Sequence, residues 1–397
     1  MDPMQPESRD NSEALDETPS FTYIDEPEGL PAAVEAVRKA PRVALDIEAN
    51  GLYSYFHRVC LLQFSTADEN FIVDPFAEMD LTDLLEALSE TQLILHAGDY
   101  DLRMMRKSYG YRPKVPVFDT MLAAQLLGHE FLGLPKILEA HTGIQTTKSG
   151  QKSDWTRRPL TAKQLAYAVD DTCHLIGLAD VLHRELDALG RATWHEESCA
   201  RMVEGTEEER ESDPEAVWRI KGWNALDRRE LAFLQVLWEW REEEARKVDK
   251  PTFKIISNPQ LIQLAESGAR SAKGDGLRGV PLPRGVRGSR LENLRAALKT
   301  ASAIPNSDFP PLRLSRGAPR PKESLYLQPL LEAVAKLGKE LQLAPQVIAS
   351  RATILAIALA EPKTREEYIE AGCLMNWQAD LLIPIFEPIF AEPAPEA

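Results

Sequence analysis

Acidic side chains recur in this sequence at spacings that would let them share a metal ion. Asp46 and Glu48 lie two residues apart in the apolar, β-rich run RVALDIE. On a strand, residues two apart point to the same side, so both carboxylates would be presented together. Two such acids repel each other unless a cation lies between them, and oxygen ligands of this kind suit hard cations such as Mg²⁺. The alternative is a strand end that carries ordinary solvated acids.

A second acidic motif, HAGDYDL, follows the apolar residues 93–95. This order is typical of a strand, a glycine turn and the start of a helix. The helix dipole favours an acid such as Asp99 or Asp101 at that place, so capping is an alternative to metal binding. His96 begins the motif and is a candidate substrate contact, with a purely structural histidine as the alternative.

A third motif, YAVDD, lies in a long helical pattern predicted for residues 161–189. Tyr167 and Asp171 are four residues apart and therefore lie on one face of a helix. Asp170 is rotated by about 100° and should face elsewhere. On the shared face, the acid can hold a metal while the phenol orients a water molecule. The alternative is an amphipathic helix with a packed tyrosine and an exposed acid.

The elements that must position these residues are predicted from hydrophobic periodicity. Four strands are predicted at residues 42–47, 60–65, 71–73 and 93–95. Four helices are predicted at residues 81–88, 101–108, 120–127 and 161–189. Mixed strands with flanking helices indicate a three-layer α/β domain in the first half of the chain.

Beyond residue 213 the strand signals stop and helical periodicity dominates. Asp227, followed three residues later by Glu230, predicts a capping box at the start of a helix that reaches Arg246. Further helical patterns occupy residues 290–301 and 326–390. The second half is therefore predicted to be all-α, and its two helical regions could be distant copies of one module.

Charge is distributed unevenly along the 397 residues, which are 44% hydrophobic and 27% charged. The formal net charge of -16 argues against a general nucleic-acid coat, because phosphate contacts need Lys and Arg. Residues 1–20 are acidic and are predicted to form a disordered tail. Residues 267–322, in contrast, carry twelve Lys or Arg against three acids. An acidic enzyme with one basic segment is compatible with a polyanionic substrate.

The four cysteines show neither CxxC nor Cys/His spacing, so they predict neither a zinc site nor a disulfide framework. They suit a reducing cytosol. We find no signal-peptide pattern at the N-terminus and no run of about eighteen apolar residues. We therefore expect a cytoplasmic protein with no membrane association, and a monomer by default.

The order of the three motifs resembles the DEDD exonuclease superfamily in its tyrosine-bearing branch. The segments ALDIEANGLYSYFHRVCLLQFS, LILHAGDYDLRMM and SDWTRRPLTAKQLAYAVDDTCHL resemble the ribonuclease D family more closely still. The segment LDRRELAFLQVLWEWREEEARKVDKPTFKIISNPQLIQLA resembles an HRDC domain, a helical nucleic-acid-binding module. Residues 326–390 look like the second HRDC-like domain of that family, through GKELQLAPQVIASRATI and MNWQADLL.

The resemblance implies an α/β exonuclease domain, with a ribonuclease H-like mixed sheet flanked by helices, followed by two all-α HRDC-type helical domains. The domains are predicted at residues 1–20 (disordered acidic tail), 21–212 (exonuclease), 213–305 (HRDC), 306–324 (Pro/Arg-rich linker) and 325–397 (second HRDC-like domain).

The resemblance also implies the activity of a 3′-5′ exoribonuclease that releases 5′-monophosphate nucleotides with the help of two divalent ions, Mg²⁺ or Mn²⁺. Asp46, Glu48 and Asp171 would bind the first ion. Asp46 would bridge to the second, which Asp101 would also hold. Tyr167 would help to aim the attacking water. The implied substrate is RNA with a free 3′ end, above all transfer RNA precursors.

Residues that hold the RNA strand are less clearly marked. Trp155, Arg157 and Arg158 in SDWTRRPL are candidates, because Arg pairs with phosphate and Trp can stack on a base. The alternative is that Trp155 fills the core. The Arg-rich residues 278–295 are a second candidate, with a solvated linker as the alternative.

Two rival functions remain open at this point. The same chemistry could act on DNA, because the acidic residues would contact phosphate and carry no code for base or sugar. A non-catalytic RNA-binding scaffold is the other rival, although Asp46, Glu48, Asp101, Tyr167 and Asp171 are all present.

Overall fold

The computed structural model describes residues 19–146, 150–207, 213, 216–271, 276–277, 279–312 and 325–391. Most of the predicted acidic tail and most of the predicted linker lie outside these residues. The described residues form two compact units. The first comprises residues 19–49, 59–207 and 325–391, and the second comprises residues 50–58 and 213–312.

A six-stranded mixed sheet organises the first unit. Its strands are β1 (Thr22–Ile24), β2 (Arg42–Ala49), β3 (Val59–Ser65), β4 (Asn70–Val73), β5 (Gln92–Leu95) and β6 (Phe118–Asp119). They lie in the order β1-β4-β3-β2-β5-β6. β2, β5 and β6 run parallel, whereas β3 is antiparallel to both β2 and β4. The four predicted strands are confirmed; β1 and β6 were missed because two or three residues cannot show an alternating pattern.

Helices cover both faces of this sheet. They are α1 (Leu30–Lys39), α2 (Thr82–Glu90), α3 (Asp99–Tyr109), α4 (Thr120–Leu126), α5 (Leu134–Thr142), α6 (Ala162–Asp170), α7 (Leu175–Ala188) and α8 (Ala192–Glu207). Val43, Leu45 and Ile47 of β2 pack in one core with α1, α2 and α3. Ala44 of the same strand packs in another core with α4, α5 and α7. The alternation on β2 therefore builds the three layers that the sequence predicts.

The long helix predicted for residues 161–189 is wrong, because the chain forms two helices there. α6 begins at a capping box in which Thr161 and Gln164 bond reciprocally, and it ends at Asp171. Thr172 is 1% exposed, and its hydroxyl bonds both Ser65 of β3 and the Val169 carbonyl. Such local side-chain bonds compete with helix continuation. Asp171 therefore lies at a helix end rather than in a helix centre.

The second unit is helical, with α9 (Arg228–Lys247), α10 (Thr252–Ile255), α11 (Asn258–Arg270) and α12 (Ser289–Ser302). The predicted capping box of Asp227 and Glu230 is present at the start of α9. Residues 50–58 belong to this unit, where the Asp249 carboxylate accepts hydrogen bonds from the backbone N–H groups of Tyr55 and Phe56, both at 2.9 Å.

The C-terminal helices of the first unit are α13 (Leu327–Leu341), α14 (Pro345–Ile348), α15 (Arg351–Ala360), α16 (Arg365–Gly372) and α17 (Asn376–Ala391). They form their own core and also pack on α8. The ring of Trp377 stacks on Trp194 at a centroid distance of 4.9 Å. Arg191 donates a hydrogen bond of 2.7 Å to the Leu341 carbonyl.

One local arrangement occurs in both helical regions. In each, a one-turn helix (α10 or α14) ends at an extended residue, and a serine then caps the next helix. The extended residues are Ile256 and Ala349, and the caps are Ser257 and Ser350. This shared pattern supports the interpretation that the two regions are copies of one module.

Candidate active site

Strand β2 carries two of the predicted acids at its C-terminal end. Asp46 is paired with Gln63 of β3, and the buried Gln63 amide donates a hydrogen bond to the Asp46 carboxylate. The pairing of β2 with β3 becomes irregular between Glu48 and Ala49. Both acids therefore lie near the point where the regular pairing of β2 with β3 ends.

The turn after β5 positions Asp101. Ala97 has a φ of 61°, in the left-handed region, and a Cβ added to Gly98 would lie 2.6 Å from Leu95 Cδ1. This tight turn starts α3 directly after the strand. Asp101 is 7% exposed, whereas Asp99 is exposed and pairs with Arg103 at 3.0 Å. The alternative of an acid favoured by the helix start therefore accounts for the exposed Asp99, whereas its burial sets Asp101 apart.

The end of α6 brings Asp171 to the same place. The Tyr167 hydroxyl forms a hydrogen bond with the Asp171 carboxylate, as expected for two residues one turn apart. A Cβ on Gly150 would come within 2.2 Å of Tyr167 Cγ, so the tyrosine ring is packed tightly against the backbone there. Asp170 points elsewhere and groups with Cys173 and His174.

The acids meet in one cluster. One carboxylate oxygen from each of Asp46, Glu48 and Asp171 lies within 4.8 Å of the other two. Asp101 is near enough to act electrostatically on both Asp46 and Glu48. An all-oxygen donor set of this kind fits a hard divalent cation, and the residues present could therefore hold Mg²⁺ or Mn²⁺.

The pKa values of the clustered acids also favour binding of a divalent cation. Burial raises the pKa of Glu48 to about 9, with Asp171 and Asp101 adding repulsion. Burial likewise raises the pKa of Asp101 to about 8 and that of Asp171 to about 7. The pKa of Asp46 is also raised, by burial and then by the three neighbouring acids. Acids buried together without a cation hold protons, and a divalent cation would relieve that repulsion.

Comparison with known proteins identifies the family. Residues 21–187 match the family model for a 3′-5′ exonuclease, and residues 230–274 match the HRDC domain model. A protein of Granulibacter bethesdensis named ribonuclease D is 30% identical over 374 residues, which are 91% of each chain. The chain belongs to the ribonuclease D family. It is accordingly an enzyme, a 3′-5′ exoribonuclease that hydrolyses phosphodiester bonds.

Further relatives and solved structures agree with this assignment. The ribonuclease D of Gluconacetobacter diazotrophicus is 30% identical over 353 residues, covering 87% of this chain and 88% of the relative. The crystal structure of Escherichia coli RNase D has a TM-score of 0.70 at 24% identity and covers 94% of this chain and 99% of its own. A Bifidobacterium adolescentis protein has a TM-score of 0.76 at 22% identity, covering 94% and 100%. These two structures show a shared ribonuclease D fold.

His96 is not one of the residues that meet in the carboxylate cluster. Its Nδ1 bonds the Thr120 hydroxyl at 2.9 Å, and the Leu132 backbone contacts the ring as well. Burial lowers the pKa of His96, although the nearby Asp119 opposes the shift. These contacts favour the structural alternative, and a contact with substrate stays a prediction.

Trp155 and Arg158 have structural places. Trp155 is 2% exposed and packs in a core with Ala168 and Val169 of α6, so its ring face is not open to a base. All three guanidinium nitrogens of Arg158 are engaged, by the Asp74 carboxylate and by backbone carbonyls. The substrate contacts predicted for these two residues are not supported, because burial and internal hydrogen bonds occupy the groups that RNA would need.

Two residues that shape the site were missed from the sequence. Asp119 is 0% exposed; it caps α4 and accepts a hydrogen bond of 2.8 Å from the Gly98 N–H at the start of α3. Gln63 holds Asp46 as described above. The signals were an Asp directly before a helical pattern, and a single amide inside the apolar strand CLLQFS.

Proposed function

We propose that this chain shortens RNA one nucleotide at a time from a free 3′ end, by two-metal-ion hydrolysis that releases 5′-monophosphate nucleotides. The observation that carries the proposal is the cluster in which oxygens of Asp46, Glu48 and Asp171 lie within 4.8 Å of one another. Asp101 adds a fourth acid to the same neighbourhood. Four acids that converge from a strand and two helices repel one another, and bound cations would offset this repulsion.

Asp46, Glu48 and Asp171 would hold one cation, and Asp46 with Asp101 would hold the other. A pair of such cations activates water for attack and neutralises the charge that develops on the transferred phosphate. The Gln63 amide fixes the Asp46 carboxylate, so one of its oxygens keeps a set direction. The Gly98 N–H donates a hydrogen bond to the Asp119 carboxylate, and this bond fixes the start of α3, which carries Asp101.

Tyr167 acts by hydrogen bonding rather than by proton removal. Burial raises the pKa of Tyr167, and Asp171, Glu48 and Asp46 raise it further. The phenol therefore keeps its proton at physiological pH. Its hydroxyl, which is bonded to Asp171, is placed to orient a water molecule for attack in line with the scissile bond.

Structured RNAs, above all transfer RNA precursors, are the proposed substrates. Support comes from family membership and from the basic stretch predicted to contact RNA. Within that stretch Arg284, Arg287 and Arg295 are exposed, whereas Arg290 pairs with Glu244 at 3.2 Å. Arg278 lies outside the described residues. RNA binding by the exposed arginines stays a prediction.

The test is incubation of a 5′-labelled, 3′-tailed transfer RNA with Mg²⁺, with Mn²⁺ or with EDTA. We expect a ladder that shortens from the 3′ end, nucleoside 5′-monophosphates as products, and no reaction in EDTA. Internal cuts, or equal activity in EDTA, would contradict the proposal. A matched DNA oligonucleotide degraded at the same rate would favour the rival DNA-directed activity.

Location and assembly remain predictions. In the parts of the chain that the structure describes, no helix combines the length and apolar character needed to cross a bilayer. The cytoplasmic location and the monomeric state predicted from the sequence are tested by cell fractionation and by light scattering.

A further inference from the structure

A second group of metal-ligating side chains shares no residue with the carboxylate cluster. His129 lies in the loop after α4, His141 in the last turn of α5, and Glu185 on α7. One ligand atom from each lies within 4.8 Å of the other two. None of these three residues belongs to the carboxylate cluster or has a role in the proposed hydrolysis.

The contacts within the group form a directed chain. His141 Nδ1 lies 3.1 Å from Glu185 Oε1, and His141 Nε2 lies 2.8 Å from His129 Nε2. When Nδ1 of His141 donates to the carboxylate, its Nε2 carries a lone pair. His129 Nε2–H then donates to that lone pair. The two rings are inclined at 62°, with their centroids 4.7 Å apart.

We propose that His129 and His141 bind a divalent transition-metal cation of the zinc class through their Nε2 atoms. Glu185 is a positioning residue, because it holds the His141 ring from the opposite edge. Binding requires that the proton on His129 move from Nε2 to Nδ1. Imidazole nitrogens are preferred ligands of Zn²⁺, and a carboxylate behind a ligating histidine is the usual means of fixing its ring.

Binding needs a modest rearrangement of the two rings. Two nitrogens bound tetrahedrally at about 2.0 to 2.1 Å are separated by about 3.3 Å, so the rings must part by roughly half an ångström and turn from each other toward the ion. The His141 ring is buried, with 8% of its side chain exposed.

An entry path leads to His129. This residue lines a cavity of about 410 Å³ together with Gln125, Glu130 and Gln346. The remaining coordination positions can therefore be filled by water from this cavity. A Cβ on the preceding Gly128 would lie 2.3 Å from the Gln342 carbonyl, so the loop packs tightly on the C-terminal helices. A bound ion would thus stiffen this packing.

The experiment uses the full-length chain carrying Asp46→Asn and Asp171→Asn, so that the carboxylate cluster cannot contribute. After chelator treatment, Zn²⁺ binding is measured by calorimetry, Co²⁺ binding by visible absorption, and the melting temperature with and without Zn²⁺. His129→Ala, His129→Gln and His141→Ala are compared with His183→Ala. His183 is a matched control on α7, with a side chain 54% exposed.

We expect one Zn²⁺ bound per chain, four-coordinate Co²⁺ bands, and a melting temperature raised by the metal. The His129 and His141 variants should lose at least about tenfold in affinity, Glu185→Gln about tenfold, and the control nothing. Metal-free melting curves identify any variant that fails to fold, and His129→Gln then replaces His129→Ala. Absence of binding in the parent, or equal binding in the folded His129 variant and the control, would overturn the proposal.

Discussion

Two acidic sites in the first unit differ in how their charge is compensated. Asp74, at the end of β4, accepts hydrogen bonds from Arg158, from the Tyr23 hydroxyl and from the Phe76 N–H. Burial alone would raise the pKa of Asp74, but these bonds outweigh it and the pKa is lowered. Asp46 is half-buried beside three acids, with the neutral Gln63 as its hydrogen-bond donor, and its pKa is raised.

We interpret the difference as that between a structural acid and an acid of the proposed metal site. Asp74 carries its counter-cation within the chain, so its negative charge stabilises the fold. The charge on Asp46, Glu48 and Asp171 lacks such a partner among the described contacts, so it opposes folding until an external cation arrives. Substitution of an acid should therefore have opposite effects in the two places.

The largest expected effect is loss of activity in Asp46→Asn. The neutral amide removes one charge from the cation site, and we expect the exonuclease rate to fall at least about a thousandfold, or about 4 kcal/mol in the activation barrier. The rate is measured on a 3′-tailed RNA at saturating Mg²⁺. Normal turnover would refute the cation site, and the folded state is checked by circular dichroism.

Asp74→Asn should instead reduce stability. Removal of the acid leaves the guanidinium of Arg158 without its ion-pair partner, and we expect a loss of about 3 kcal/mol in the free energy of unfolding. Urea denaturation measures it. Asp25→Asn is the matched control, since Asp25 is exposed and lines a cavity together with Asp74 and Arg158. An equal change in both variants would show that the ion pair contributes little.

A pair of hydroxyl deletions sharpens the contrast further. Tyr167→Phe should slow single-turnover hydrolysis about ten- to a hundredfold, with little change in RNA affinity, because only the orientation of water is lost. Tyr23→Phe should leave that rate unchanged and lower stability instead, because its hydroxyl serves Asp74. An unchanged rate in the first variant would count against the role of Tyr167.

The last prediction concerns how the free energy of unfolding depends on pH when no metal is bound. Acids with raised pKa values keep protons in the folded state that the unfolded chain releases above about pH 4. The free energy of unfolding in EDTA should therefore fall as the pH rises from 5 to about 9. Asp74, with its lowered pKa, contributes stability at neutral pH that is lost only in stronger acid.

Chemical denaturation at several pH values tests this sign. Asp46→Asn serves as the comparison, because it lacks one of the raised groups and should show a shallower fall. Stability that rises from pH 5 to pH 9 would mean that the acids are compensated within the chain.

Much of the site could be predicted because each motif is local. The alternation on β2 sets the shared side of Asp46 and Glu48, and one helical turn relates Tyr167 to Asp171. The break after Asp171 could not be predicted, because it depends on the bond between Thr172 and Ser65, which lie far apart in the sequence.

The places of Trp155 and Arg158 show the same limit. Their residue types suit RNA contacts, and the sequence carries no sign of Asp74 as the partner of Arg158. Long-range pairing decides whether an arginine faces substrate or core. The two missed strands follow the same rule, since their few residues are ordered by neighbours rather than by their own pattern.

The most direct test of the central claim is the melting temperature of the parent and of Asp46→Asn, first in EDTA and then in Mn²⁺. Our account predicts a reversal: the variant melts higher in EDTA, because one repelling charge is gone, and the parent melts higher in Mn²⁺, because its site is complete. A parent that is more stable in EDTA and unaffected by Mn²⁺ would contradict the account.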